Sequence, residues 1–207
     1  MIRSIHTLLS ISIVMLLFVT ANSCKQEAKG EESTSNEAET KEADPDIENE
    51  TEEVLTQASP RKQASGQVDG ITINIDYGSP SVKGRKIWGG LESYGKVWRA
   101  GANETTSIEI SAAAKINGES IPAGKYGFFI IPMEEGKWIG VFNEEWSREL
   151  HGAWGAFSYK LEKDVLRVDV SPEWAKEVME TLEYKVTDSG FEFVWEKVRI
   201  KFEVQAE

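Results

Sequence analysis

From position 58 onward, apolar and polar residues alternate with period two in one stretch after another. Ile71, Ile73, Ile75 and Tyr77 are interleaved with Thr72, Asn74 and Asp76, and Leu166, Val168 and Val170 with Arg167 and Asp169. The same holds for Leu182, Tyr184 and Val186 around Glu183 and Lys185, and for Val198, Ile200, Phe202 and Val204 around Arg199, Lys201 and Glu203. Each run predicts a strand with one face in a core and the other in water. Residues 126–131 and 138–142 are almost continuously apolar, as strands covered on both faces are. Asn117-Gly118, Pro122-Ala123-Gly124, Glu134-Glu135-Gly136 and Asp188-Ser189-Gly190 supply the turns between them. About nine short strands follow, which predicts a single all-β domain over 58–207, an antiparallel β-sandwich or jelly-roll-like fold. Ser171-Pro172-Glu173 breaks the pattern. It reads as a helix start with Trp174, Val178 and Leu182 at helical spacing, so residues 172–180 are expected to form a short helix or irregular crossover.

The first 57 residues do not belong to that pattern. Arg3 precedes an apolar run over residues 8–19, and Ala21, Asn22 and Ser23 lead into Cys24. The run is short of the ~20 apolar residues that a membrane span needs and has the layout of a secretory signal. Ala-Asn-Ser-Cys resembles the bacterial lipobox, with Ala21 standing where Leu is usual. Residues 1–23 are therefore expected to be a lipoprotein signal peptide and Cys24 the lipidated N-terminus, anchored through its acyl chains in the cell envelope, with the outer membrane as the expected site. Residues 24–57 form an acidic tether. Between positions 25 and 57 there are twelve acidic and three basic residues, so the stretch carries −9 of the chain's −12, against −4 for the domain and +1 for residues 1–24. With no aromatic and few aliphatic residues, such a stretch cannot bury enough apolar surface to order itself. Its early acidic residues resemble the surface-export signals of Bacteroidota lipoproteins.

Several chemistries are excluded. Cys24 is the only cysteine and His151 the only histidine beyond the signal, so a His/Cys metal cluster cannot form and no metal or cofactor is expected. No phosphate-binding glycine loop or nucleophile elbow occurs, and no basic patch points to nucleic acid. What stands out is 79–90, Ser-Pro-Ser-Val-Lys-Gly-Arg-Lys-Ile-Trp-Gly-Gly, followed by 94–106, Tyr-Gly-Lys-Val-Trp-Arg-Ala-Gly-Ala-Asn-Glu-Thr-Thr. With Ile121-Pro-Ala-Gly-Lys-Tyr126, Trp154-Gly-Ala-Phe-Ser-Tyr159 and Asp164-Val-Leu-Arg167, these segments closely resemble the DUF2911 family over about residues 59–204. The chain departs from the family pattern at 144–152, where extra residues precede the Trp154 motif. The resemblance implies an exported β-rich domain of Bacteroidota and carries over no catalytic residue.

Read by themselves, residues 96–100 place Val97 and Arg99 on one face and Trp98 and Ala100 on the other. Arg99, Asn103 and Glu104 gather a guanidinium, an amide and a carboxylate within six residues, with Arg85 as a second cation. Loops on a rigid sandwich are where ligand contacts usually sit. These residues define a candidate pocket for a small polar or sugar-like ligand, floored by Trp88 or Trp98. The alternative is a turn, with Glu104 paired to Arg99 or Arg85 as a structural ion pair. His151 and Trp154 lie in a glycine-flanked loop and are further candidates. Trp138 and Trp195 read as core residues, and Trp146, Trp154 and Trp174 as partly exposed. Three functions fit: a membrane-tethered module binding a small ligand, glycan or envelope partner; a hydrolase using Glu104 with a second carboxylate or His151; or a structural envelope protein.

Overall fold

A computed structural model describes residues 59–207; the signal segment, Cys24 and the tether lie outside the described residues. Two antiparallel sheets form a sandwich. One has six strands, β1 (Arg61–Val68), β2 (Ile71–Gly78), β3 (Thr106–Ile110), β6 (Gly124–Ile131), β7 (Trp138–Asn143) and β8 (Asp164–Val170), hydrogen-bonded in that order. The other runs β5 (Glu119–Ile121), β4 (Ala114–Ile116), β10 (Gly190–Ala206), β9 (Glu173–Thr187). Most sequence neighbours pair directly, and the hairpins turn where the residues demand it. Asp69-Gly70 and Asn117-Gly118 both have positive φ at both positions, as two-residue turns matched to strand twist require.

The alternating residues point as their pattern dictates. Ile71, Ile73, Ile75 and Tyr77 are buried in one core with Ile108 and Phe128 of the same sheet and Tyr184 and Phe193 of the other. At one end of that core Trp88, Trp98, Trp138 and Trp195 meet, with Trp98 stacked on Trp195 at 5.5 Å and Trp88 edge-on to Trp138 at 4.7 Å.

β9 and β10 are long, 15 and 17 residues, rather than short. In β10 the inward positions are Phe191, Phe193 and Trp195 before Glu196, but Val198, Ile200, Phe202 and Val204 after it. Glu196 adopts a left-handed φ of 53° within a register shift, and this bulge moves the inward set by one residue. The same irregularity corrects the expectation for residues 172–180. No helix forms there: Glu173 and Trp174 pair with Arg199 and Val198, and Met179 pairs with Glu196. Five positions of β9 thus span two of β10. Trp174 and Val178 are about half exposed and only Leu182 is buried, so their helical spacing marks no buried stripe. Pairing along a long partner strand outweighs a local cap signal. Among the described residues the one short α-helix, α1 (Arg148–His151), lies instead in the segment between β7 and β8.

Candidate functional site

The outer face of the six-stranded sheet is the half of the alternation that the core does not use. Pairing sets two rows across four strands. Ser65, Asn74, Glu109 and Lys125 lie side by side, and next to them Gln63, Asp76, Ser107 and Gly127. The rows end at Gly127 for a steric reason. A Cβ there would lie 2.4 Å from the carbonyl oxygen of Glu145, so glycine lets the segment between β7 and β8 seat directly on the sheet.

That segment is a flap whose shape its own polar groups fix. The buried Asn143 donates to Lys160 O (2.9 Å) and Asp164 Oδ1 (2.8 Å), and its Oδ1 accepts from the Glu145 N–H (2.9 Å). Ser147 caps α1 by accepting from the Leu150 N–H, and Gly152 closes the helix in the left-handed conformation. His151 Nδ1 accepts from the N–H groups of both Trp146 and Ser147, each at 3.2 Å, with its ring edge-on to Trp146. Tyr159 donates to Asp164 Oδ2 (2.6 Å) and packs on Phe129. Phe129, Ile131 and Val141 form a second, small core on this outer face, covered by Val97, Ile139 and Tyr159. Half of the outer face is thereby closed, and the half over β1–β3 stays open.

Between the flap and the open half lies a cavity of about 430 Å³, with Asp76, Ser107 and Glu104 on one side and Trp146, Arg148 and Trp154 on the other. A recess of about 260 Å³ over Gln63, Asn74 and Glu109 continues it and shares Asp76, Ser107 and Lys125. Arg61 organises the strand side. Its Nε donates to the Asp76 carboxylate, Nη1 lies 3.5 Å from Glu104 Oε2, and Nη2 donates to Thr105 O (3.2 Å). On the flap side Lys125 Nζ sits 4.2 Å from the Trp146 ring centre and the Arg148 guanidinium 4.7 Å from that of Trp154.

Of the residues named from sequence, Glu104, Trp154 and the loop tryptophan Trp146 line this cavity, and the other site candidates do not. Glu104 pairs with Arg61, not with Arg99 or Arg85. Trp98 does not line this cavity: it is 4% exposed in the core and donates to Gly101 O at 3.1 Å, while Trp88, also in the core, lines with Arg85 a separate recess of about 320 Å³. The place of Trp98 inside the sandwich follows from its antiparallel bridge to Ile130. Asn103, at φ 62°, holds the start of the domain by donating to Ser59 O (3.2 Å). Arg99 packs on the outer side against Gly155, with its Nε buried and unbonded among the described residues. Arg85 lies elsewhere, donating to Val82 O (3.0 Å) and Ser81 O. It and Arg99 act on Glu92, whose carboxyl burial pushes from 4.5 up to about 7 against the pull of Arg99 and Arg85. His151 serves the flap backbone.

Arg61, Asp76 and Lys125 were not singled out. The alternation of β2 placed Asp76 outward, but only strand register brings it beside Ser107 and within reach of Arg61. Among the described residues no helix is long and apolar enough to cross a membrane, and no three His, Cys, Asp or Glu side chains gather as a metal-holding group.

An all-β sandwich with one open polar groove on a sheet face, walled by a tryptophan-bearing flap, is the class of protein that fold and site define. Within that class, the chain belongs to the family described as "Protein of unknown function (DUF2911)", whose pattern matches residues 59–204. Comparisons with curated proteins and with solved structures give no match.

Proposed function

We propose that the protein is a lipid-anchored binding module of the cell envelope whose outer-face groove takes a sugar-like ligand. The observation that carries this reading is the pairing of a floor of carboxylate, amide and hydroxyl side chains with a wall bearing Trp146 and Trp154. A sugar ring presents hydroxyls around its edge and an apolar C–H face, and needs polar partners and an indole side by side. The cavity of about 430 Å³ falls within the ~300–1,000 Å³ usual for small-ligand sites. The flap's internal hydrogen bonds fix Trp146 before any ligand arrives, which lowers the ordering cost of binding. Hydrolysis by Glu104 and His151 has less support. Glu104 is paired with Arg61, and His151 Nδ1 is occupied by two backbone donors.

Calorimetric titration of the 58–207 domain with oligosaccharides tests the groove. Saturable binding is expected, weakened at least about tenfold by Trp146→Ala, as for a central tryptophan anchor. Binding that survives this change intact places the ligand elsewhere. The anchor rests on Cys24 following an apolar run and small residues. Cys24→Ser should leave the precursor unprocessed or release the domain from membranes; a fully processed, membrane-bound variant refutes the lipid anchor.

A further inference from the structure

The two cations on the flap side of the groove are unusual in what they lack. Neither Lys125 nor Arg148 forms an ion pair or a side-chain hydrogen bond with any described residue. Each rests instead on an indole face, Lys125 on Trp146 and Arg148 on Trp154, and both line the same cavity. The obvious carboxylates are otherwise engaged. Glu149, next to Arg148, accepts from the Ser147 hydroxyl (2.9 Å). Asp76 and Glu104 share the Arg61 guanidinium. Glu109 is the cross-strand neighbour of Lys125 but forms no ion pair with it. The groove is therefore divided. Beside Trp146 and Trp154 stand unspent N–H donors, three on Lys125 and five on Arg148, preoriented by stacking, with the Ser147-bonded Glu149 carboxylate also on that lining. The other side, Asp76, Glu104, Glu109 and Asn74, is rich in acceptors.

Resting on the binding reading above, we infer that the ligand of this groove is an acidic sugar, with its anionic group held by Lys125 and Arg148 and its hydroxyls donating to the carboxylates opposite. A neutral sugar leaves both cations without acceptors. An anion without hydroxyls leaves unused the acceptor capacity that Asp76 and Glu104 retain beyond Arg61, and that of Glu109. Only a molecule carrying both groups satisfies the two sides together. A carboxylate and a phosphate ester meet the requirement equally, since both present planar or tripodal oxygens to a guanidinium and an ammonium.

The test uses matched pairs on the wild-type domain: trimeric oligouronates against their methyl esters, and phosphorylated sugars against the same sugars without phosphate. The acid of at least one pair is expected to bind about tenfold or more tightly than its neutral partner, the increment of a hydrogen bond to a charged group. That preference should shrink as ionic strength rises. The uronate and phosphate arms separate the two sources of charge. Lys125→Met and Arg148→Gln should each bring the acid-to-neutral ratio toward one. Neutral partners bound as well as the acids, or a ratio that both variants leave intact, overturns the inference while leaving a sugar-binding groove. If no member of any pair binds, the groove reading fails and this inference with it.

Discussion

Trp88, Trp98, Trp138 and Trp195 meet inside the sandwich, each at most 5% exposed, whereas Trp146 and Trp154 stand half-buried on the flap beneath cations. The inner group is held by other aromatic rings, and the Nε1 atoms of Trp88 and Trp195 have no acceptor among the described residues. There the indole is used for volume, and in Trp88 and Trp195 its polar edge is left unserved, at a cost, while Trp98 and Trp138 donate to backbone carbonyls. On the flap the ring face is used and hydrogen bonds go to the backbone that aims it. One residue type thus fills a core in one place and presents a binding surface in another. The difference lies in what surrounds the ring, not in the ring.

Breaking the inner group should have the largest effect. Trp195→Ala removes a fully buried indole and is expected to destabilise the domain by about 3–5 kcal/mol, read from denaturant melts. Trp195→Phe keeps much of the volume and deletes an N–H with no acceptor, so its cost should stay below about 1.5 kcal/mol. Equal costs for the two would mean that Trp195 contributes through its N–H, contrary to the packing.

Both groups were partly legible beforehand, and the reasons they were not wholly so are physical. Alternation identified the strands and put Trp138 and Trp195 in the core, because a period of two assigns faces directly. It also put Asn74 and Asp76 outward. It carries nothing about which strand lies next to which, and the groove floor is made by register: Asp76 opposite Gln63 on one side and Ser107 on the other. Nearness in sequence misled for the same reason. Arg99 and Glu104 are five residues apart, yet the left-handed Ala100 and Asn103 turn the chain between them, and Glu104 meets Arg61 from the first strand. The bulge at Glu196 and the long β9–β10 pairing defeated the cap signal at 171–173 because tertiary pairing decides a strand's fate more than its first residues do.

A second prediction concerns the loop that follows Trp88. The Glu92 carboxyl titrates near 7 instead of 4.5, chiefly through burial, with Arg99 and Arg85 offsetting part of the rise. The folded state therefore keeps a proton that the unfolded chain has lost between those two pH values. The associated stability is fully present below about pH 4.5, declines as pH rises towards 7, and is absent above it. At ~1.4 kcal/mol per pH unit, the loss is on the order of 3–3.5 kcal/mol before solvent screening reduces it. Glu92→Gln should remove this dependence, so the variant melts higher than wild type at pH 8 and about level with it at pH 4.5. A variant no more stable at pH 8 would show that the carboxylate is better solvated than its burial implies.

The smallest effect on stability should come from the flap, and there the two uses of tryptophan separate most sharply. Trp154 is half-buried, carries Arg148 over its ring and lines the cavity. Truncation leaves no enclosed void, because the site is open to solvent, so Trp154→Ala should cost no more than about 1 kcal/mol. Ligand affinity should nevertheless fall about tenfold, since the ring face and the orientation of Arg148 are lost together. Trp174 is the control. It is 55% exposed, more so than Trp154, but it lies outside the groove against Trp138. Trp174→Ala should leave sugar affinity unchanged, measured by the same titration. If Trp174→Ala weakens binding and Trp154→Ala does not, exposed indole in general rather than the walled groove is what the ligand meets.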